Sequence, residues 1–558
     1  METSLFPLNE SAAQAFSEIS QYLELKGENP FKIKAYVKAS RVLRTLETDL
    51  EELSLEGKLR SIDGVGKAIA DKLEAFIKTG AIPQLEALKE EIPRGLVDVS
   101  NLPGLGSKKT VLLHKELGVS DLESFKAVLE AGKVEEVKGF SKKSQAKYLA
   151  LVEKALSAET TFIKSRLEEW AEQTRERLAD VTGVSRIEVV GEVRRKAPQS
   201  TRLELLLVCS ELEAARQDVE QRFASTSSSM ESKDGALIFV HPSGCPIWLR
   251  FAREDEAGNL QMRFTGPDDF VVSVEKKLAE GGAFPTEEAL FQEAKVSFIL
   301  PEIRHRKNVL KPQPTLLELS QIQGNLHAHT TYSDGQNTLE EMVQQAVDCG
   351  HSYFGVSDHS RSLVVANGLT EERLLEQIKE VSALNQRRSD IEIFASNETD
   401  ILEDGSLDYS DDVLQKLDYV VVAVHSFFHL SKEAMTHRLL TGVSHPAARI
   451  LAHPTGRLLT RRDGYSADWE QVFKRCAEKN VALEINSSPW RLDISEELLE
   501  LAQECGCLIA INTDAHSLRE FDYARHGVDM ARRGGLEPDR VINTWGTERL
   551  KSWFKGEA

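Results

Sequence analysis

The sequence predicts a multidomain protein with an all-helical N-terminal third, a mixed α/β middle region and a C-terminal parallel β-barrel. Residues 10–157 carry apolar residues at helical spacing without strand-like alternation, whereas strands such as Leu203–Val208 occur from about residue 160 onward. After residue 322, short apolar strands alternate with helical stretches, as they do in parallel barrels. A chain of 558 residues also exceeds one ordinary hydrophobic core, which supports several domains.

The composition is that of a soluble globular protein. Apolar residues make up 41% and charged residues 28% of the chain, and no apolar run is long enough to span a bilayer. The N-terminus lacks the features of an export signal, and the scattered cysteines follow neither metal nor disulfide spacing. We therefore expect a cytoplasmic protein without a membrane partner. The net charge of -20 opposes general adhesion to nucleic acid, so any DNA contact must be local.

A glycine-containing turn recurs in the helical third. Ile62–Lys67 and Leu102–Lys109 each open an amphipathic run, and Val137–Lys143 is a weaker copy in which Ser141 replaces the second glycine. One isolated copy would be an ordinary turn, but the repetition favours hairpins whose backbone N–H groups face a phosphate oxygen. These segments resemble helix-hairpin-helix motifs, which grip the DNA backbone. The candidate DNA-binding residues in them are Gly64, Gly66, Lys67, Gly104, Gly106, Lys108 and Lys109.

The segment Leu23–Tyr36 resembles the start of the small N-terminal domain of bacterial family X DNA polymerases. That domain holds a 5′-phosphate at a gap, so the resemblance adds Lys34 to the candidate DNA-binding residues, in a positive face with its lysine and arginine neighbours. Lys72 matches a Schiff-base lysine of some members, although an exposed helix lysine is the simpler interpretation. The implied domains are a small helical domain over 1–95 and a helical fingers-like domain over 96–158.

The middle region, assigned to 159–300, resembles the nucleotidyltransferase palm of family X with a shortened thumb. Gly191 to Arg195 matches the glycine and paired arginines that precede the palm's Asp-x-Asp strand. With this anchor, the family's three metal-binding aspartates fall on Arg202, Glu204 and Trp248. Nucleotidyl transfer needs two cations held close together, which an arginine and a tryptophan cannot bind. We therefore expect polymerase activity to be lost; the alternative is that other acids, such as Asp268 and Asp269, rebuild the site.

A polar, proline-containing linker over 301–322 precedes the barrel, which is assigned to 323–558. Almost every barrel strand reaches a His, Asp or Glu at its C-terminal end, where barrel enzymes carry their chemistry. One such histidine would more often be structural, but this many on one face predicts a metal site. The nine candidate ligands are His327, His329, Asp334, His359, Glu398, His425, His453, Asp514 and His516.

The types and spacing of these ligands indicate several divalent ions. His327 and His329 lie two residues apart on a strand, so both imidazoles face one side and can reach one ion. Nine groups suffice for about three ions, and imidazole and carboxylate without cysteine suit Mn²⁺, Zn²⁺ or Fe²⁺. Arg457, in the loop after the His453 strand, is a candidate phosphate clamp together with Arg461 and Arg462, or equally a solvated loop residue.

The barrel motifs, from His327-Ala-His329 to Asp514-Ala-His516, resemble the polymerase and histidinol phosphatase (PHP) domain. The resemblance implies a distorted seven-stranded barrel, three metal ions and phosphoester hydrolysis, with Glu398 bridging two ions. The implied catalytic residues are His327, His329, Glu398, Asp514 and Arg457. The implied ligand groups are His327, His329, Glu398 and Asp514; then Glu398, His425 and His453; and then Asp334, His359 and His516.

The whole chain resembles the bacterial PolX family, in which a family X polymerase is fused to a PHP domain. The palm ligands are absent and the barrel ligands present, so our leading hypothesis is a metal-dependent 3′–5′ exonuclease. It would act in DNA repair on ends, gaps or single strands, as a nucleoid-associated monomer. The alternatives are a small-molecule phosphatase of the histidinol phosphatase type, a polymerase that is still active, and a non-enzymatic DNA-end scaffold.

Overall fold

The computed structural model describes residues 7–557 except 47–48, 63, 158–159, 225–229, 242, 279–281, 308 and 311–314. The start of the chain, where we expected no export signal, and the proline-containing part of the linker therefore lie outside the described residues. The chain divides into two compact units, residues 1–160 and 161–558. Within the described ranges, no helix is both long and apolar enough to cross a membrane.

The first unit is helical, as predicted. Its α-helices are α1 (Pro7–Lys26), α2 (Pro30–Thr45), α3 (Leu50–Leu55), α4 (Lys67–Thr79), α5 (Pro83–Glu91), α6 (Gly95–Ser100), α7 (Gly106–Leu117), α8 (Leu122–Glu130) and α9 (Lys142–Ser157). They enclose two hydrophobic clusters, one containing Phe16 and Leu73 and the other Leu113 and Phe125. Burial of the helices' apolar faces, which the helical spacing predicted, therefore holds this unit together.

The recurring glycine turns each join two helical segments. The first lies between a 3₁₀ turn at Leu59–Ser61 and α4, and the second lies between α6 and α7. Gly64, Gly104 and Gly106 have φ values of 72°, 81° and 68°. Residues that carry a side chain rarely adopt this left-handed backbone conformation, so the turns require glycine.

The second unit begins with a mixed α/β region, also as predicted. Its helices are α10 (Lys164–Leu178), α11 (Gly191–Arg194), α12 (Leu212–Ala224), α13 (Ala257–Thr265), α14 (Asp268–Glu275) and α15 (Glu287–Glu293). Its strands are β1 (Phe162–Ile163), β2 (Val184–Val190), β3 (Gln199–Ser200), β4 (Leu203–Cys209), β5 (Met230–Lys233), β6 (Ala236–Val240) and β7 (Pro246–Arg253). A five-stranded sheet has the order β2-β4-β7-β6-β5, and its central strands β4 and β7 are parallel.

The rest of the second unit alternates strands and helices. Its strands are β8 (Gly324–Asn325), β9 (Tyr353–Val356), β10 (Glu392–Ala395), β11 (Glu398–Asp400), β12 (Val420–Ala423), β13 (Ala448–Leu451), β14 (Ala482–Asn486) and β15 (Ile509–Asn512). Its helices are α16 (Leu339–Asp348), α17 (Glu371–Arg387), α18 (Asp411–Leu414), α19 (Lys432–Val443), α20 (Trp469–Lys479), α21 (Glu496–Glu504), α22 (Ala524–Arg533) and α23 (Thr547–Phe554).

These strands close into a parallel barrel. They form the sheets β10-β9-β8 and β11-β12-β13-β14-β15, and all pairings are parallel. Because β10 and β11 are one strand interrupted at residues 396–397, the ring contains seven strands. Single bridges join the sheets, Ala328 to Ala515 on one side and His359 to Glu398 on the other. The seven-stranded parallel barrel is thereby confirmed, although β8 is shorter than the predicted strand Gly324–His329 because only single bridges continue it.

A buried ion pair joins α15 to α11 and to the linker that follows the mixed region. Glu287, the first residue of α15, is 1% exposed and accepts two hydrogen bonds from Arg304, at 2.7 and 3.0 Å. Arg194 donates a third hydrogen bond to it at 2.6 Å. Burial opposes ionisation of Glu287, but the two guanidinium groups outweigh burial and lower the pKa of the carboxyl.

Replacing Glu287 with alanine should lower the free energy of unfolding by about 3–5 kcal/mol, because it leaves buried arginine charge uncompensated. Glu288→Ala, at the exposed neighbouring position, is the matched control and should change it by about 0.5 kcal/mol or less. Urea titration measures both. Because folding lowers the pKa of Glu287, its contribution is complete above the unfolded-state value of about 4.3 and is lost as pH falls further. Equal losses in the two variants would contradict this assignment.

Candidate metal centre

The nine candidate ligands converge at the C-terminal end of the barrel. They lie on or directly after its strands: His327, His329 and Asp334 after β8, His359 after β9, Glu398 in β11, His425 after β12, His453 after β13, and Asp514 and His516 after β15. The C-terminal ends of parallel strands meet at one face of a barrel, which explains the convergence. Most of these side chains are buried, whereas Asp334 and His516 form the more exposed edge, with side-chain exposures of 38% and 27%.

Glu398 is the centre of the cluster. Its Oε1 lies 2.8 Å from His453 Nε2 and 3.2 Å from His425 Nε2. Its Oε2 lies 2.7 Å from His359 Nδ1 and 3.5 Å from His327 Nε2, without hydrogen-bond geometry to any described residue. Burial opposes ionisation, but the surrounding imidazoles hold the pKa of the carboxyl well below its usual range. Glu398 is therefore an ionised carboxylate with one oxygen facing each half of the cluster.

The donor atoms fall into three groups whose members lie within 4.8 Å of one another. The groups are His327, His329 and Asp514; His359, Glu398 and His425; and His329, Asp334, His359 and His516. The grouping implied by the PHP resemblance agrees in outline but differs in detail. His329 and His359 each contribute to two groups, and His453 falls in none of them, although its Nε2 lies 2.8 Å from Glu398 Oε1. Among the described residues, every group of this kind lies in the barrel.

This donor set fits divalent cations. His327 Nε2 and His329 Nε2 lie 3.2 Å apart, and His329 Nε2 lies 3.0 Å from Asp514 Oδ1. Burial, together with the neighbouring imidazoles, lowers the pKa of His329 to about 3, so this ring is in the neutral form that binds metal. Donor atoms this close together can all lie about 2.0–2.2 Å from one cation, which is the length of a metal–ligand bond.

Two other histidines are charged in the metal-free site. Burial lowers the pKa of His425, but Glu398 and Asp400 outweigh it and raise the value to about 10. Burial also lowers the pKa of His516, but Asp334 outweighs burial and raises the value to about 10. A cation must displace these protons, so metal binding should release protons and become stronger as pH rises.

The sequence interpretation missed Glu484, which orients His327. This fully buried residue of β14 has its Oε1 2.7 Å from His327 Nδ1, and its Oε2 accepts a hydrogen bond from the backbone N–H of His453 at 2.8 Å. Burial lowers the pKa of His327, but Glu484 and two other carboxylates outweigh it and raise the value well above normal. The available signal was a glutamate within an otherwise apolar strand, since charges are seldom buried without a partner.

Two further aspartates also escaped the sequence interpretation. Asp400 Oδ1 lies 3.1 Å from His425 Nδ1, on the side of the ring opposite Glu398. Asp358 is fully buried and accepts hydrogen bonds from the backbone N–H groups of Thr330 and Ser333, at 2.8 and 3.1 Å. The first contact orients an imidazole, and the second holds the turn that carries Asp334. Such hydrogen bonds fix the geometry and basicity of metal ligands.

The backbone itself is strained at two of the nine positions. His453 and Asp514 have φ values of 26° and 55°, in the left-handed region that residues other than glycine rarely adopt. Each such conformation costs about 1–3 kcal/mol and persists where the surrounding structure enforces it. Strain of this kind clusters at functional sites, which agrees with a role for these residues in binding or catalysis.

The three loop arginines named in the sequence analysis make contacts within their own region of the barrel. Arg457 donates hydrogen bonds to the carbonyl oxygens of Arg491, at 3.0 Å, and Leu492. Arg462 bonds the carbonyl of Gly456, and the guanidinium of Arg461 lies 4.9 Å from the centre of the Trp490 ring. The proposed phosphate-clamping role of Arg457 stays a prediction.

Arg491, which we did not single out from the sequence, is the arginine that faces the metal centre. Its Nε lies 3.7 Å from Asp514 Oδ2, and its side chain is 22% exposed. The loop after β14 therefore brings a guanidinium group beside a candidate ligand.

The three palm positions that align with the family's metal-binding aspartates lie in one network of contacts. Glu204, in β4, is paired in register with Trp248, in β7. One Glu204 oxygen accepts a hydrogen bond from Arg202 Nε at 2.9 Å and the other from Arg250 Nε at 3.0 Å. The Arg202 guanidinium also lies 4.6 Å from the centre of the Trp248 ring. Both carboxylate oxygens therefore face arginines. Asp269, in α14, instead accepts a hydrogen bond from the N–H of Phe270.

The candidate DNA-binding residues lie on the surface of the helical unit. Gly64, Gly66, Lys67, Gly104, Gly106, Lys108 and Lys34 are exposed. Lys109 is half-buried and donates hydrogen bonds to the Gly104 carbonyl, at 3.2 Å, and to the Tyr148 hydroxyl, at 3.3 Å. It therefore stabilises the second turn. Lys72 donates to the carbonyl of Ala68, one helical turn earlier.

Replacing Glu484 with glutamine should weaken metal binding about 10–100-fold, because an uncharged partner makes His327 a weaker ligand. Glu478→Gln, at an exposed position of α20, is the matched control and should leave the affinity unchanged. Competition with a chelator, followed by elemental analysis of bound metal per chain, measures the effect. Equal affinities for wild type and Glu484→Gln would contradict the role of Glu484.

Comparisons with known proteins agree with this architecture. The model of the helix-hairpin-helix domain matches residues 7–82, and that of the PHP domain, a metal-dependent domain, matches residues 325–488. "DNA polymerase/3'-5' exonuclease PolX" of Bacillus subtilis is 34% identical over 96% of this chain and 97% of its own. A "Probable phosphatase" of Syntrophotalea carbinolica is 24% identical over 39% of this chain and 90% of its own. The chain therefore belongs to the PolX family of bacterial DNA polymerases that carry a C-terminal PHP domain.

Proposed function

We propose that this protein is a 3′–5′ exonuclease whose barrel hydrolyses phosphodiester bonds at DNA ends, and that its palm no longer polymerises. The observation that carries this proposal is the different environment of the two aligned sites. Nine potential ligands converge in the barrel, eight of them in three groups of closely spaced donors and His453 beside Glu398. The one carboxylate among the three aligned palm positions, Glu204, is instead bonded to two arginines. A two-metal reaction requires carboxylates that can bind cations. The barrel carboxylates face imidazoles, which are themselves metal ligands, whereas both oxygens of Glu204 face arginines.

The residues of the barrel suit phosphodiester hydrolysis. Bound cations, three in our proposal and Mn²⁺, Zn²⁺ or Fe²⁺ by donor type, would supply an activated water and neutralise charge on the phosphate. His329 and His359, which each belong to two of the three groups, would hold them together with Glu398, whose two oxygens face different histidines. Asp334 and His516 line the exposed edge by which a substrate reaches the site. Arg491 can donate to a phosphate oxygen near Asp514, a contact that stabilises the developing charge.

The helical unit supports DNA as the substrate. Its exposed glycine turns with adjacent lysines present backbone N–H groups and positive charge, a combination that binds phosphate oxygens without reading bases. We propose the predicted division into helical domains 1–95 and 96–158, palm 159–300, linker 301–322 and barrel 323–558. Such a protein would act as a monomer in the cytoplasm, at the nucleoid, where DNA ends need processing.

Two residues of the palm weigh against polymerase activity. The guanidinium of Arg202 stands where a metal ligand is needed, and its charge repels cations. Trp248 supplies no ligand atom to the site. The two arginines compensate the charge of Glu204, so the palm needs no bound metal to bury this carboxylate.

A small-molecule phosphatase is the second candidate. Only the barrel supports this candidate. The alignment with the relative named a probable phosphatase covers 39% of this chain and 90% of that relative. The helical unit argues against it, since a phosphatase of small metabolites needs no DNA-gripping turns. The two candidates differ in substrate and share the same metal centre.

His327→Ala should reduce release of nucleotides from a 5′-labelled single strand by about 10²-fold or more, because it removes a donor atom from the metal centre. Arg202→Ala is the control, since it changes the palm network and leaves the barrel intact. Gel analysis of the shortened products, with Mn²⁺ added, gives the rate. Cleavage that persists in His327→Ala and fails in Arg202→Ala would refute this assignment, and shortening from the 5′ end would refute the polarity.

The loss of polymerase activity has its own test. Wild-type protein incubated with Mn²⁺, a gapped duplex and all four deoxynucleoside triphosphates should leave the primer unextended. Primer lengthening above that seen with triphosphates omitted would show that the palm still binds catalytic metal.

Arg491→Ala should lower kcat/KM for the single strand by about 10- to 100-fold while leaving metal content unchanged, because a charge-assisted bond to a phosphate contributes about 1.5–3 kcal/mol. Arg475→Ala, an exposed arginine of α20, serves as the control. Steady-state kinetics and elemental analysis measure the two quantities. Unaltered kinetics in Arg491→Ala would exclude a contact with substrate.

A further inference from the structure

The barrel exposes three large apolar side chains, all at the metal-centre end. Within residues 324–557, all of them described, the strongly exposed large apolar residues are Val364, Val365 and Phe427, at 80%, 92% and 54%. The valines lie in the loop after β9 and His359, and Phe427 lies two residues after His425. We call these three residues the apolar rim. Exposed apolar groups confined to the mouth of a polar site indicate contact with a ligand.

The loop that carries the two valines is anchored at both ends by hydrogen bonds near the candidate ligands. This loop leaves His359 and returns to it, where the N–H of Leu369 donates to the His359 carbonyl at 2.8 Å. At one end, Ser362 Oγ donates to Asp400, the aspartate beside His425, at 3.0 Å. At the other end, Asn367 Nδ2 donates to the carbonyl of Ser333, the residue before Asp334, at 3.2 Å. The exposed turn is therefore tied to the supports of two candidate ligands.

Phe427 is fixed in a similar way. Its backbone has a φ of 54°, which a bulky residue adopts only under constraint. Arg438, which is fully buried, donates to the carbonyl of the preceding Ser426 at 2.8 Å, and its guanidinium lies 5.9 Å from the centre of the Phe427 ring. The protein therefore holds this exposed ring in place although its backbone conformation is unfavourable.

We propose that the apolar rim receives the nucleobase of the 3′-terminal nucleotide, unpaired from any complement, while its phosphodiester lies at the metal centre. This inference rests on the proposed exonuclease function and names a determinant of its substrate. A nucleobase is one sugar away from its phosphate, so a base-binding surface must adjoin the phosphate site, as this rim does. Stacking on apolar side chains tolerates every base, which suits an enzyme that removes nucleotides successively.

The size of the rim favours a base over a protein partner. A stable protein interface buries about 1,200–2,000 Å² in total, far more than three side chains provide. The neighbouring charged residue of the loop, Arg361, is paired with Asp408 at 3.3 Å and Glu371 at 3.5 Å. The rim therefore offers mainly apolar contact, as the flat face of one base requires.

The test compares two single-stranded oligonucleotides, which differ only in whether the 3′-terminal deoxyribose carries a base. For the wild-type protein, kcat/KM should be about tenfold higher with the base, as expected for stacking of one base. The double variant Val364→Ser/Val365→Ser, and Phe427→Ser, should bring this ratio close to one. Val272→Ser, at a 47% exposed position of α14, should retain the tenfold ratio. Because each protein is its own reference, a general loss of activity leaves the ratio interpretable.

Three outcomes would overturn the proposal. A wild-type ratio of one, or an unchanged ratio in the rim variants, would show that the base is not held by the rim. An unchanged ratio together with altered sedimentation of the rim variants would assign the rim to contact between copies of the chain. If the wild-type protein cleaves neither oligonucleotide but hydrolyses p-nitrophenyl phosphate, the proposed exonuclease function itself fails. Cleavage of DNA without base dependence leaves that function standing and refutes the rim alone.

Discussion

The buried carboxylate of Glu398 is the constraint on which the barrel site depends. An ionised carboxylate in a protein interior must be compensated by neighbouring charge or by cations. Four histidines from four different strand ends surround it, so the barrel must close with those strand ends in one place. The interruption between β10 and β11 places Glu398 at the bridge to His359, where the two sheets join. Closure of the barrel and assembly of the metal centre are thus one structural event.

The palm also buries a carboxylate, but its charge is compensated in another way. Glu204 is also buried, and it is neutralised by the protein's own arginines. This arrangement compensates the carboxylate without metal, which is why we propose that the palm no longer polymerises. The palm nevertheless packs firmly on the barrel, because Lys164 of α10, 2% exposed, pairs with Asp529 of α22 at 2.7 Å. We interpret the palm as a structural support that follows the helix-hairpin-helix part of the chain and packs on the barrel.

Sequence patterns predicted the fold class and all nine converging residues, because strand periodicity and strand-end positions are local properties. They could not identify Glu484, whose importance comes from a contact with His327, 157 positions earlier in the chain. They also favoured Arg457 over Arg491, because two arginines in neighbouring loops look alike until their hydrogen bonds are known. The assignment of residues to individual ions likewise depends on distances across the barrel, which no spacing along the chain contains.

We expect cations to bind in the barrel and not in the palm. Anomalous diffraction from crystals soaked in Mn²⁺, recorded at the manganese absorption edge, locates them. Anomalous peaks should lie among His329, Glu398 and Asp514, and none beside Glu204. A peak bridging Glu204 and a neighbouring carboxylate, or a barrel without any peak, would contradict this expectation.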